Sequence, residues 1–211
     1  MQLDRLYKEQ KRLAKRVALY DAFGKTRLIA GVDCSYPDDR IIGGAVVVDY
    51  ETLEPVERAS VVRRLKFPYI PGLLAYREAD AMMAAVKKIE TDVDVLMIDG
   101  FGINHPRRCG IATHIGVKLD MPAIGVGKSF LCGDVCDENY ICQAGEKVGK
   151  LIYSCGSKRP VYVSPGHKIS IDSAVEIVTR CTRAGRIPEP ARLAHEYVTG
   201  LKKVIPQTRK V

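Results

Sequence analysis

Between residues 3 and 20, Leu6, Leu13, Val17 and Tyr20 recur on one face of a charged stretch. That spacing predicts an amphipathic helix over 3–20, packed across the outside of a sheet. Three β-type runs follow, "LIAGVDCSY" (28–36), "IIGGAVVVDY" (41–50) and "PVERASVVRRLKF" (55–67), joined by the turn stretches "PDDR" and "ETLEP". Such short links predict an antiparallel meander. After Pro71, "GLLAYREADAMMAAVKKIE" has a helical pattern, and "DVLMI" is an unbroken apolar run of the kind buried on both faces of a sheet. The rest alternates: a helix near 109–120, the strand "AIGVG", a cysteine-bearing segment 131–147, the strands "KLIYSC" and "VYV", a helix over 172–184 and a last helix after "PEP". A meander followed by βα units predicts an α/β fold with one mixed central sheet, antiparallel and parallel strands together, flanked by helices.

Composition narrows the function classes. A chain of 211 residues with 46% hydrophobic content can bury one substantial core, so a single domain over 1–211 is expected, with a basic tail at about 201–211. A net charge of +8 and a pI near 9.1 on a mixed-sign surface favour a polyanionic partner. No apolar stretch approaches a membrane span, so a cytoplasmic monomer without membrane contact is expected. Seven cysteines without a signal-peptide pattern imply a reducing compartment rather than a disulfide framework. Cys132, Cys136 and Cys142 lack the paired short spacing of a structural zinc site.

Candidate chemistry gathers where strands end. Asp33 interrupts an apolar strand, Asp99 closes "DVLMI", and Glu78 falls on the Leu74, Met82 and Ala85 stripe of its helix, which faces the sheet. Each alone could be a cap or an ion pair. Together, Asp33, Glu78 and Asp99 form an all-oxygen cluster suited to Mg²⁺ or Mn²⁺. In a basic protein that points to phosphate chemistry. Lys128, at the end of "AIGVGK", can offset phosphoryl charge, and His167, after the turn-like "SPG" and before a helix, can orient water. The bland alternatives are a solvated lysine and a histidine satisfied by local hydrogen bonds. In "KFPYIPGLL", Pro68 and Pro71 fix their φ angles and push Phe67 and Ile70 to extended geometry, so Tyr69 rides a stiff loop that leads into the first helical turn at Pro71. Tyr69 is either a wedge between bases or a ring packed down on a rigid turn. Gly72 and Gly100 would let an extruded base approach main-chain groups.

The stretches "IAGVDCSY", "PYIPGLLAYREAD", "IDGFGINHPRRCGIATHIG", "IGVGKSFLCG" and "SPGHKISIDSAVEIVTRC…RIPEPARLAH", in order across 28–195, resemble the motifs of the endonuclease V family. The resemblance implies a ribonuclease H-like fold, Mg²⁺ dependence with Mn²⁺ as substitute, and DNA repair begun at hypoxanthine, the deaminated form of adenine. The deoxyribonuclease V-type reaction is hydrolysis of the second phosphodiester bond 3′ to that base. It also implies that Asp33 and Asp99 bind metal, that Glu78 is the third carboxylate, and that Lys128 and His167 are catalytic. Tyr69 matches the wedge tyrosine, with Pro68, Ile70 and Pro71 around it on the substrate side. His105 matches the histidine beside the lesion pocket, and Gly72, Leu74 and Gly100 match positions lining it. Arg107, Arg108, Lys158, Arg159 and the tail are candidate phosphate contacts. Phe101 and "GVGKS" depart from the family pattern and put substrate preference in question more than catalysis. The alternatives are an inosine-specific ribonuclease and a non-catalytic module that binds inosine-bearing or structured nucleic acid.

Overall fold

The first helix, α1 (Leu3–Ala14), ends earlier than the periodicity predicts, and Tyr20 is 66% exposed. The computed structural model describes residues 3–205 apart from Cys155 and Ala184. Three hydrogen bonds accompany the early stop. The buried Gln10 amide donates to the carbonyls of Gly72 and Cys109, and the chain turns after Ala14 so that Ala18 N–H reaches His167 Nδ1 at 3.2 Å. Leu13 packs with Cys109 and Val117, so α1 leans on a helix rather than on the sheet.

β1 (Leu28–Ser35), β2 (Arg40–Asp49) and β3 (Pro55–Arg64) form the expected antiparallel meander. After α2 (Leu74–Val86), the apolar run becomes β4 (Val95–Asp99), parallel to β1; α3 (Ile111–Leu119) then leads into β5 (Ala123–Gly127), parallel to β4. The three parallel strands therefore finish at one rim, at Ser35, Asp99 and Gly127. The cysteine-bearing segment is a hairpin: β6 (Asp134–Val135), a 3₁₀ turn, β7 (Tyr140–Gln143), then β8 (Glu146–Ile152). β9 (Val161–His167) runs antiparallel to β5 and closes the arrangement, before α4 (Ile171–Arg180) and α5 (Glu189–Val204). Among the described residues the strands make one mixed sheet in the order β3-β2-β1-β4-β5-β9-β8-β7-β6.

Period-two alternation divides the core. Ala30, Val32, Leu96 and Ile98 pack under α2 and α3, while Ile29, Met97, Ile124 and Val126 pack under α4 and α5. Close approach of α5 depends on a missing side chain: a Cβ on Gly31 would overlap the carbonyl of Pro190. That contact seats the N-terminal half of α5 directly on β1.

Three local expectations change. "SPG" is not a turn but lies inside β9, where Pro165 faces Ile124 beside a register shift; a proline without an N–H is tolerated at such a bulge. Pro71 is not in the first turn of α2. Leu73 N–H donates to Ile70 O at 2.9 Å, with Pro71 and then Gly72 (φ +76°) between them, which is a type II turn preceding the helix. Cys136 and Cys142 form a disulfide across the β6–β7 hairpin, their Cα atoms 6.0 Å apart, whereas composition implied reduced thiols. Residues 206–211 of the basic tail lie outside the described residues. Among those described, no helix is long and apolar enough to cross a membrane.

Candidate active site

At the rim, Asp33 stands one residue beyond the Val32–Ile98 pair of β1 and β4, so parallel register places it beside Asp99. Asp33 is 5% exposed; Cys34 N–H donates to its Oδ1 at 2.7 Å. From α5, His195 Nδ1 lies 2.8 Å from Asp33 Oδ2. One donor atom each from Asp33, Asp99 and His195 lie within 4.8 Å of one another. Glu78 reaches the same cleft from α2 on the opposite face of the sheet, its Oε1 accepting from the Tyr36 hydroxyl. Lys128 Nζ donates to Asp99 Oδ2. The cleft encloses about 360 Å³.

This electrostatic setting calls for a cation. Burial, and then the facing Asp99 charge, push Asp33 up to about 6. Burial pushes Glu78 up to about 7 against its hydrogen bonds from Tyr36 and Cys34, with Asp33 and Asp99 adding to the rise. Two carboxylates and an imidazole, with a third carboxylate adjoining, make an oxygen-dominated donor set that fits a hard divalent ion.

All three expected acids line one cleft, and His195 joins them. The close group is Asp33, Asp99 and His195, and Glu78 lines the cleft just outside it. His167 does not join them. It pairs with Ala123 at the far end of β5, four residues of strand or about 13 Å from the rim. There it is 4% exposed, accepts from Ala18 N–H, and sets Nε2 3.3 Å from Asp120 Oδ1. His195 could have been found in the sequence: it closes the motif "RIPEPARLAH".

Beside the cleft is a pocket of about 240 Å³ whose walls include Tyr69, Gly72, His105, Gly110 and Leu131. Tyr69 projects at its mouth, 67% exposed. Pro68 and Pro71 are exposed and Ile70 half-buried, so they shape the loop rather than the pocket wall. The Gly72 carbonyl accepts from Gln10 Nε2 (2.9 Å) and Arg107 (2.7 Å) and lies 3.2 Å from His105 Nε2. Burial, then Arg107, lower His105 to about 4, so its imidazole is neutral. Arg107 also donates to Gln10 and stacks over Tyr7, and Arg108 donates to the Gln143 carbonyl and to Glu146. Lys158 and Arg159 are exposed. Gly100 lines the acid cleft and not the pocket, because its N–H donates to Val126 O at the strand end. Leu74, Phe101 and Ser129 line both cavities and form their common wall. The Phe101 ring lies against Gly127, where a Cβ would strike it.

Comparison with known proteins supplies the family: the model of Endonuclease V matches residues 11–196. The chain belongs to the endonuclease V family. Endonuclease V of Dictyoglomus turgidum is 41% identical over 197 residues, 90% of this chain and 86% of that protein. The crystal structure of human ENDOV superposes with a TM-score of 0.85 at 30% identity, covering 94% of this chain and 98% of that one. Ciona intestinalis endonuclease V, in complex with a 24mer DNA containing an inosine followed by a ribo-adenosine, gives 0.87 at 27% identity, covering 97% and 99%. The mixed sheet is accordingly the ribonuclease H-like fold of endonuclease V, and the chain is an endonuclease.

Proposed function

We propose that this endonuclease V is metal-dependent, recognises hypoxanthine in nucleic acid, and hydrolyses the second phosphodiester bond 3′ to it, initiating repair of deaminated DNA. The observation that carries the reading is the common wall of Leu74, Phe101 and Ser129 between a pocket open to a base and a cleft of acids. A strand with one base in the pocket lays its next phosphates over Asp33 and Asp99. The Ciona relative, bound to inosine-containing DNA, supports the substrate class.

Asp33, Asp99 and His195 would hold the cation, Mg²⁺ or Mn²⁺, with the Glu78 carboxylate beside them. When bound, that ion polarises the phosphodiester and offsets charge developing on it. Lys128, paired with Asp99 and 38% exposed at its side chain, extends to a non-bridging phosphate oxygen. Tyr36 fixes the direction of the Glu78 carboxylate, which orients the water whose oxygen bonds to phosphorus as the bridging P–O bond breaks. Tyr69 fills the gap left by the extruded base, and the neutral His105 helps hold the Gly72 carbonyl in the pocket wall. All these residues come from one sheet, its helices and the loops that join them, so a monomeric single domain suffices.

The test is cleavage of matched single- and double-stranded DNA and RNA carrying one inosine, with Mg²⁺ and with EDTA, mapped at nucleotide resolution. The expected result is a metal-dependent cut at the second bond 3′ to inosine. Cutting indifferent to inosine, or unaffected by chelation, would overturn the proposal. The ribo-adenosine after the inosine in the Ciona complex favours a second reading, action on inosine-containing RNA, which the RNA arm decides. Chelator-insensitive binding without cutting would instead establish a non-catalytic module.

A further inference from the structure

One of the three stretches that separate pocket from cleft is 128–131, beside Leu74 and Phe101. Lys128 lines the cleft, Ser129 lines both cavities, and Leu131 lines the pocket. Phe130, between them, is 49% exposed, and Leu131 is 40% exposed. Two adjoining large apolar side chains held open to water at the mouth of a site call for an occupant, whereas one scattered on a surface would not. Phe130 is also braced. Its ring meets Tyr162 edge-on, centroids 6.1 Å apart and planes at 66°, and Tyr162 itself packs against Ile103, Ile141, Val148 and Leu151. The start of the stretch is tied down as well, because Arg186 donates to the Lys128 carbonyl.

We propose that Phe130 is a stacking platform for the nucleobase that lies between the extruded base and the scissile phosphate. The inference rests on the nuclease reading above and adds a contact that reading does not contain. A strand that seats one base in the pocket and a later phosphate at Asp33 and Asp99 crosses the wall of Leu74, Phe101 and Ser129, and the exposed Phe130 ring adjoins that wall next to Ser129. Its intervening base is unstacked from its neighbour once the lesion has left the helix. An aromatic face recovers that stacking whatever the base, since every base has a π-face. The charge of Lys128, whose side chain is 38% exposed, suits a polyanionic strand rather than an apolar peptide. Tyr69 and Leu131, both on the pocket lining, then bound the path of the strand at the mouth.

The experiment uses an inosine strand with 2-aminopurine directly 3′ to the inosine, bound in EDTA so that it is not cut. Wild-type binding quenches the 2-aminopurine fluorescence. Phe130→Ala abolishes the quench and weakens binding about 5- to 150-fold, the factor equivalent to stacking one base. Phe130→Trp restores both. Phe130→Leu keeps apolar packing on Tyr162 but offers no aromatic face, so it behaves like Phe130→Ala. With an abasic spacer in place of the 2-aminopurine, wild type and Phe130→Ala bind alike. Quenching retained in Phe130→Ala, or an equal loss of binding on the spacer strand, overturns the platform. Failure of the underlying reading is seen separately, as a wild type that does not distinguish inosine from adenine at all, and it removes both.

Discussion

Nδ1 of His195 lies 2.8 Å from Oδ2 of Asp33, although 162 residues separate them along the chain. The pairing joins the first strand to the last helix at the rim where three parallel strands end. His167 holds a different pair of elements together at the opposite end of β9, so the two histidines have separable roles.

His195→Ala is expected to lower divalent-metal affinity and cleavage by at least about 10- to 100-fold. Its side chain is 57% exposed and is held in the fold by Asp33, so the loss should fall mainly on metal binding and cleavage rather than on Tm. His167→Ala should do the reverse. Leaving Ala18 N–H without its acceptor costs about 1–3 kcal/mol, read as a lower Tm, with cleavage per folded molecule retained. Urea melts and single-turnover cleavage of both variants check the assignment, and a catalytic loss confined to His167→Ala would reverse it.

Tyr69→Ala should reduce the preference for inosine over adenine by about 5- to 150-fold, the range for one lost stacking contact. With 67% of the residue exposed, melting temperature should be unchanged. Competition binding between inosine-bearing and undamaged strands measures the ratio directly. A ratio equal to wild type would mean that the tyrosine contributes surface and not discrimination.

Gly31→Ala tests how the site is assembled rather than what it touches. The added methyl meets the Pro190 carbonyl, so α5 must rise from β1, at a cost of about 1–3 kcal/mol. His195 rides on that helix, so cleavage should fall further than the unfolded fraction explains. Gly24→Ala is the control, because nothing lies within 4 Å of its added methyl. Equal behaviour of the two variants in thermal melts and cleavage would remove the argument.

The parts of this molecule legible in its sequence are those fixed by local pattern. The alternation of β1 to β3 and the apolar run of β4 predict their pairing, and Asp33 and Asp99 announce themselves as charges in apolar strands. Glu78 shows on its helical stripe in the same way. Long-range packing hides the rest. His195 closes the motif "RIPEPARLAH", but its place at the rim depends on Gly31 letting α5 descend onto β1. "SPG" has the composition of a turn, yet the bulge opposite Ala123 and Ile124 absorbs the proline within a strand. The β7–β8 turn is built on Ala144 and Gly145, both at positive φ, and an alanine there gives no warning. The Cys136–Cys142 bridge belongs to the β6–β7 hairpin, where Cys142 lies opposite Asp134 and Cys136 follows Asp134 two residues later, a neighbourhood that cysteine counting could not supply.

Chelation and pH together give the sharpest test of the cation site. Asp33, raised to about 6, and Glu78, raised to about 7, both bind protons more tightly in the fold than in the unfolded chain, where their ordinary values are 3.8 and 4.5. In metal-free protein, the stability those protons contribute is complete below about pH 4 and is lost as pH rises through about 6 to 7. The buried His105, lowered from 6.5 to about 4, has the opposite slope, with stability lost as pH falls from about 6.5 toward 4. Absolute melting curves therefore mix the two, but the rise in Tm on adding Mg²⁺ cancels the histidine contribution. A cation competes with protons for the carboxylates. The increment should accordingly be small near pH 5 and grow to a plateau by about pH 8. In an Asp33→Asn/Glu78→Gln variant, whose amides do not titrate, it should be small at every pH. An increment in the wild type that does not change between pH 5 and 8 would show that these acids are not where the ion binds.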